Sequence, residues 1–237
     1  METDKFLNVP FVPTDESVVE AMLDLADVGS KDVLYDLGSG DGRILIAAAR
    51  DRDARGIGID IDPLRIADAM EYAGWSHVEH LVDFIEDDIF TVDFSEATVV
   101  TLYLLQSVNI ELRPRLLNHL RPGTRIVSHD FDMGDWKPDD WIRLDGANIY
   151  KWTVPAKIAG TWQWEGPDGK QYQLDLQQKY QEVTGTAWVS GKKISLSRAA
   201  LSGSFLEIEL QDDEADSPSS FMLSFRNGTL QSAAAIE

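Results

Sequence analysis

Asp32-Val33-Leu34-Tyr35-Asp36-Leu37-Gly38-Ser39-Gly40-Asp41-Gly42-Arg43 decides how this chain folds. Apolar side chains of both parities (Val33, Leu34, Tyr35) read as a strand buried on both faces, and the strand stops at three glycines spaced by two. Glycines belong where the backbone needs positive φ or where a ligand must approach without a Cβ in the way. Ile44-Leu45-Ile46-Ala47-Ala48-Ala49 then has helical character. The unit is strand, glycine loop, helix N-terminus. A second strand, Ala54 to Ile61, closes on Asp60 and Asp62, with Pro63 behind them. An acidic residue at the end of the second strand of a βαβ unit faces a ligand's ribose, so Asp60 is expected to accept hydrogen bonds from both hydroxyls.

Asp36 separates two nucleotide readings. A bare pyrophosphate on the glycine loop and helix end would be repelled by a carboxylate two residues before the first glycine. A ligand carrying ammonium and sulfonium groups suits Asp36 and Asp41. With Gly56-Ile57-Gly58-Ile59-Asp60-Ile61-Asp62-Pro63 following Asp36-x-Gly38-x-Gly40-x-Gly42, the chain resembles the Rossmann-like S-adenosylmethionine-dependent methyltransferases. The cofactor set is Asp36, Gly38, Ser39, Gly40, Asp41, Gly42, Asp60 and Ile61.

Composition narrows the class. The chain has 237 residues, no cysteine and a formal net charge of −20. Disulfides and thiolate metal ligands are excluded, and His77, His80, His119 and His129 do not form a zinc-type spacing, so no metal is expected. Residues 1–155 hold 30 acidic and 14 basic side chains. Such a surface repels nucleic acid phosphate and anionic lipid and attracts a basic protein segment or a cationic substrate. No apolar run approaches the roughly 20 residues that cross a bilayer, and Met1-Glu2-Thr3-Asp4 lacks the features of a signal peptide. The expectation is a soluble cytoplasmic protein without membrane insertion. Its oligomeric state is not legible.

Ahead of the first strand, Val9-Pro10-Phe11-Val12-Pro13-Thr14 reads as a rigid arm, and Thr14 or Asp15 as the cap of a helix through Leu25. After Pro63, the spacing of Leu64, Ile66, Ala67, Met70 and Ala73 gives a helix. A strand around Val82–Ile85 follows, ending in Glu86-Asp87-Asp88-Ile89. Ala97 to Leu105 reads as a central parallel strand, with a helix from about Ile110 through Leu120 that has Pro114 near its first turn. Thr124–Ser128 is the next strand. Trp141–Leu144 and Asn148–Val154 form a closing hairpin around Asp145-Gly146. From Ala156 the pattern becomes about seven short alternating strands, a small antiparallel sandwich or partly closed barrel. The division expected is 1–155 and 156–237, and Trp162, Trp164, Tyr172, Tyr180 and Trp188 are expected in the second core rather than in a ligand box.

The aromatic-Val-Pro-Thr arm, Leu102-Tyr103-Leu104-Leu105 with Asn109, and Ser128-His129-Asp130-Phe131 are similar to one methyltransferase family. That family contains the mitochondrial lysine methyltransferases of the ATP synthase c-subunit and the adenine nucleotide translocase, together with many bacterial relatives. The resemblance covers residues 9 to about 155. It implies N-methylation of a protein lysine or a similar small amine; the other readings are a small-molecule methyltransferase and a binding protein that holds the cofactor without transfer. It also implies that Asp88, or Asp87, accepts from the adenine amino group while Ile89 packs on the ring. On this reading Phe11, Tyr103, Phe131 and Trp136 would wall the acceptor pocket, and Thr14, Asn109 and Asp130 would be polar positioners. Asparagine or aspartate followed by two prolines and an aromatic, the pattern of amino-methylating nucleic acid enzymes, is absent. Ser128-His129-Asp130 is not a hydrolase triad, since neighbours on a strand point to opposite sides.

Overall fold

The computed structural model describes residues 11–212 and 217–236. Met1 to Pro10, with the first residues of the arm, and residues 213–216, inside the expected Asp212–Ser219 turn, lie outside the described residues. The chain divides into two compact units at Thr153/Val154.

The first unit opens with α1 (Glu16–Leu25), which buries Val18, Val19, Met22 and Leu23 on one side. The alternating units follow: β1 (Val33–Leu37), α2 (Arg43–Arg52), β2 (Arg55–Asp60), α3 (Pro63–Trp75), β3 (Val82–Glu86), β4 (Val99–Leu102), α4 (Gln106–His119) and β5 (Arg125–His129). A hairpin of β6 (Asp140–Leu144) and β7 (Ala147–Thr153) ends the unit. The sheet order is β3-β2-β1-β4-β5-β7-β6. Its first five strands are parallel, and β7 pairs antiparallel with both β5 and β6. The chain therefore builds outward from β1 in one direction through β2 and β3, then crosses to β4 on the other side. This reversal opens a crevice at the carboxyl ends of β1 and β4, where ligands meet such sheets.

Leu34, Val99, Val127 and Ile149 point into a core shared with α1, α2 and α3, and the alternating neighbours Tyr35, Val100 and Ile126 are buried on the opposite parity. The hairpin turn has Asp145 at φ 51° and Gly146 at φ 94°, the left-handed pair that a two-residue turn requires.

The helix after β4 differs from its expected span. It begins at Gln106, not near Ile110, because Leu105 takes an extended conformation and hands its carbonyl to the N–H of Asn109. Pro114 thus lies inside the helix rather than in its first turn. Its missing N–H leaves the carbonyl of Ile110 without the usual helical donor. Burial of Leu112 and Leu116 carries the helix past it.

The second unit is a meander of β8 (Gly160–Glu165), β9 (Gln171–Lys179), β10 (Glu182–Val189), β11 (Lys192–Ser202), β12 (Phe205–Gln211), β13 (Ser219–Arg226) and β14 (Thr229–Ile236), each paired antiparallel with its sequence neighbours. β11 is longer than its alternation indicated: a bulge between Leu196 and Arg198 shifts the register and lets the strand continue to Ser202. Trp162 packs edge-on to Phe225 with centroids 5.0 Å apart, and Trp164 to Phe221 at 5.3 Å. The first strand of the meander thus meets the sixth, the curl of a nearly closed barrel. Trp162, Trp164 and Tyr172 belong to this core.

Candidate active site

The loops after β1, β2, β3 and β4 open on one cleft. The N–H groups of Gly38 and Ser39 both donate to the carbonyl of Ile59, at 2.8 and 2.9 Å, which folds the glycine loop over the end of β2. Gly38 and Gly40 are left-handed, at φ 87° and 53°. A Cβ on Gly38 would come 2.7 Å from a methyl of Leu104, and one on Gly40 would come 2.5 Å from the Phe11 ring. The buried Oγ of Ser39 has no hydrogen-bond partner among the described residues, and Ser39 belongs to the cleft lining. Gly42 does not line the cleft. It precedes α2 at φ 75°, with the Phe84 ring where its Cβ would be.

Asp36 is 2% exposed and accepts a 2.8 Å hydrogen bond from the Thr101 hydroxyl. Burial pushes its carboxyl up to about 7; the charges of Asp60 and Asp41 add to this, and the Thr101 bond opposes it. Asp60 is held at both oxygens, by the N–H of Gly40 at 2.8 Å and of Asp62 at 2.9 Å. Its remaining lone pairs are available to a ligand. Asp62 caps α3 through the N–H of Leu64, while Ile61 lines the cleft beside it. Asp87 and Asp88 both line the cleft, as does Ile89. The N–H of Asp88 donates to Asp87 Oδ1, and Asp88 Oδ1 accepts from Phe90. Position alone does not choose between the two carboxylates.

Asp41 lines the cleft as well. Its carboxylate is forked by Arg43, with Nη2 to Oδ2 at 2.6 Å and Nε to Oδ1 at 3.0 Å. Its charge is therefore already answered. Arg43 also donates to the carbonyl of Thr14 at 2.8 Å, which ties the arm to the glycine loop. Arg65 lies over the Phe11 ring, 4.9 Å from its centroid.

On the acceptor side, Phe11, Thr14 and Tyr103 line the cleft. The other four candidates do not. Trp136 is fully buried, 6.0 Å from the Trp152 ring, and its carbonyl accepts the Trp152 indole N–H: it is core, not pocket wall. Asn109 is fully buried too, because the helix starts early enough to carry it inward, and its amide donates to Ser128 Oγ and the Phe131 carbonyl. Phe131 contributes that carbonyl rather than a cleft surface. Asp130 lies one layer back, with its Oδ1 accepting from the N–H of Asn148.

Sequence reasoning did not single out His129, Arg43, Arg65, Leu104 or Val108 as site residues. The ring of His129 stacks on Tyr103, with centroids 3.8 Å apart and planes at 26°. Its Nδ1 is 3.4 Å from Thr14 Oγ1 and its Nε2 3.5 Å from Asp130 Oδ2. Strand alternation would part His129 from Asp130, but β5 ends at His129 and Asp130 turns left-handed at φ 61°. A short polar residue tolerates that conformation, and an aspartate directly after a strand is the one signal that pointed to it.

The cleft suits S-adenosylmethionine. Asp36, Asp60 and Asp88 offer acceptors to a ligand rich in donors and positive charge, Ser39 adds an unused hydroxyl, and a pyrophosphate would meet carboxylates. Sheet order, glycine loop and acidic strand tips together define a Rossmann-like S-adenosylmethionine-dependent methyltransferase. The chain belongs to the family of the ANTKMT methyltransferase domain, whose family model matches residues 36–140. It is 43% identical over 143 residues to a protein-lysine N-methyltransferase of Saccharolobus islandicus, covering 60% of this chain and 89% of that one. It is 31% identical over 132 residues to the adenine nucleotide translocase lysine N-methyltransferase of Mus musculus, spanning 57% of that protein's length. The crystal structure of an RNA methyltransferase from Salinibacter ruber in complex with S-adenosyl-L-homocysteine superposes with a TM-score of 0.61 at 58% identity, covering 62% of this chain and 96% of that one. Among the described residues no helix is long and apolar enough to cross a membrane.

Proposed function

We propose that the methyl acceptor is the ε-amino group of a lysine in a basic protein segment, and that the chain acts in the cytoplasm. The observation that carries this reading is the 43% identity to a protein-lysine N-methyltransferase over nearly all of that protein's length. Charge supports it: a chain of net −20 attracts a cationic segment. Residues 1–155 would form the catalytic domain, and residues 156–237 a separate β domain.

In this reading Asp36 holds the cofactor's ammonium, Asp60 its ribose hydroxyls, and Asp88, with Asp87 as the competing residue, its adenine amino group beside Ile89. Gly38, Ser39 and Gly40 let the backbone come close, and Asp41 and Gly42 set the loop through Arg43 and the start of α2. When bound, S-adenosylmethionine supplies an electrophilic methyl group on a sulfonium. The chain's part is positioning: an amine lone pair must be held in line at near-attack distance. Tyr103 and Phe11 present aromatic faces that favour an amine and its methylated cation.

A second reading takes RNA as acceptor, favoured by the Salinibacter ruber structure. Its phosphates would face a chain of net negative charge. Incubating the purified chain with methyl-labelled S-adenosylmethionine and cell extract, then digesting with protease or nuclease, separates the two. Protease-sensitive label recovered as methyllysine is the expected result. Nuclease-sensitive label overturns it in favour of RNA, and acid-soluble label in favour of a small amine.

A further inference from the structure

We propose that Asp130, His129 and Thr14 form a proton path that relieves the incoming ammonium group of a proton, with His129 as the acceptor. This rests on the lysine reading above. An ammonium has no lone pair to offer, so one proton must leave before methyl transfer. Lysine begins near a pKa of about 10.4, and no carboxylate outside the proposed cofactor set is needed if a relay is present.

Three placements carry the inference. The imidazole is 6% exposed and stacked at 3.8 Å on Tyr103, an aromatic residue of the cleft wall, so its plane is set beside the acceptor. Its Nε2 faces the carboxylate of Asp130 at 3.5 Å, which keeps the proton on that nitrogen and leaves a lone pair on Nδ1. Thr14 Oγ1 lies 3.4 Å from Nδ1 and therefore donates its hydrogen inward. With that hydrogen committed, the Thr14 hydroxyl has only lone pairs left to offer a ligand in the cleft that Thr14 lines. Those lone pairs accept an ammonium N–H. Neither end of the path is loose: Arg43 holds the Thr14 carbonyl at 2.8 Å, and the N–H of Asn148 holds Asp130 Oδ1 at 2.9 Å.

In the step itself one ammonium N–H bond breaks and its electron pair stays on nitrogen. The proton passes to Thr14 Oγ1 as the hydroxyl's own proton passes to His129 Nδ1, so Thr14 ends unchanged. The imidazolium, protonated on both nitrogens, faces Asp130, with Asp15 adding negative charge from the start of α1. It later gives the proton to water. Tyr103, the titratable group stacked on the ring, is pushed up by burial and stays neutral. Burial also pushes His129 below its ordinary value, so it is a free base at neutral pH.

The test reads kcat with saturating S-adenosylmethionine and a saturating lysine-rich protein, at pH 7 and pH 9.5. His129→Gln is expected to lose roughly 100-fold at pH 7, the scale of one acid–base contribution. The loss should shrink to a few-fold at pH 9.5, where about a tenth of an ordinary lysine is already free amine. Thr14→Val should show the same pH-dependent loss, and Thr14→Ser should relieve it. Nitrogen-15 NMR of the imidazole rings gives a readout independent of turnover: His129 should carry its proton on Nε2, and Asp130→Asn should weaken that preference. Losses equal at both pH values, no loss in either variant, or a His129 protonated on Nδ1 overturns the relay while leaving the lysine reading intact. A wild type that labels no lysine overturns both.

Discussion

A carboxyl that burial holds near neutrality, as it holds Asp36 at about 7, ties two measurable quantities to one proton. Its folded value lies above that of an unfolded aspartate, about 3.9. The stability it contributes without cofactor is therefore fully present below about pH 4 and lost as pH rises through 7, a swing on the order of 4 kcal/mol. Chemical melts of the cofactor-free chain between pH 5 and 8 should show the fall, and Asp36→Asn should flatten it. Holding an ammonium needs the ionised form, so affinity for S-adenosylmethionine should climb with pH up to about 7, by at most about tenfold per unit, and then level. The same variant should bind weakly with no such slope. Asp60, fixed by two backbone donors, contributes through hydrogen bonding. Asp60→Ala should weaken cofactor binding by roughly 1–3 kcal/mol, read by calorimetry, through lost charge-assisted bonds to the sugar.

At the scale of elements, α4 shows how far local pattern reaches. The glycine loop, its flanking strand and helix, and the acidic tip of β2 were legible because each is written in consecutive residues: Gly38, Gly40 and Gly42 demand left-handed backbone, and Asp36 and Asp60 sit at strand ends. The start of α4 was not legible, because Leu105 and Gln106 carry no strong cap and the apolar run through Leu105 reads as strand. That four-residue shift moved Asn109 from the cleft into the core. Trp136 was misplaced for a related reason: its burial depends on Trp152, sixteen residues away across the sheet edge. Arg43 and Asp41 are near neighbours in sequence, yet their fork also needs the Thr14 carbonyl of a distant arm to anchor the guanidinium. Pro114 gives this scale its own prediction. An interior proline costs a helix about 3 kcal/mol, so Pro114→Ala should raise stability by about 1–3 kcal/mol in denaturant melts with cofactor affinity unchanged. A drop in stability would show that the proline ring is needed for packing.

Over the whole molecule, charge and division into units set the expectations. Carboxylates outnumber basic groups chiefly in residues 1–155, so encounter with a basic protein should be steered by long-range attraction. Methylation of such a protein should therefore show a KM that rises with salt between about 50 and 300 mM while kcat holds, since the Debye length shrinks below about 10 Å over that range. Among the described residues, every one that lines the cleft precedes Asn109 in sequence. A chain ending at Thr153 should accordingly keep its cofactor affinity, a result read by the same calorimetry. The most direct measurement titrates the purified full chain with S-adenosyl-L-homocysteine and, separately, with a nicotinamide dinucleotide. One equivalent of S-adenosyl-L-homocysteine bound, with no heat from the dinucleotide, is the expected result. Binding of the dinucleotide with none of S-adenosyl-L-homocysteine would contradict an acidic cradle for a cationic sulfur nucleoside.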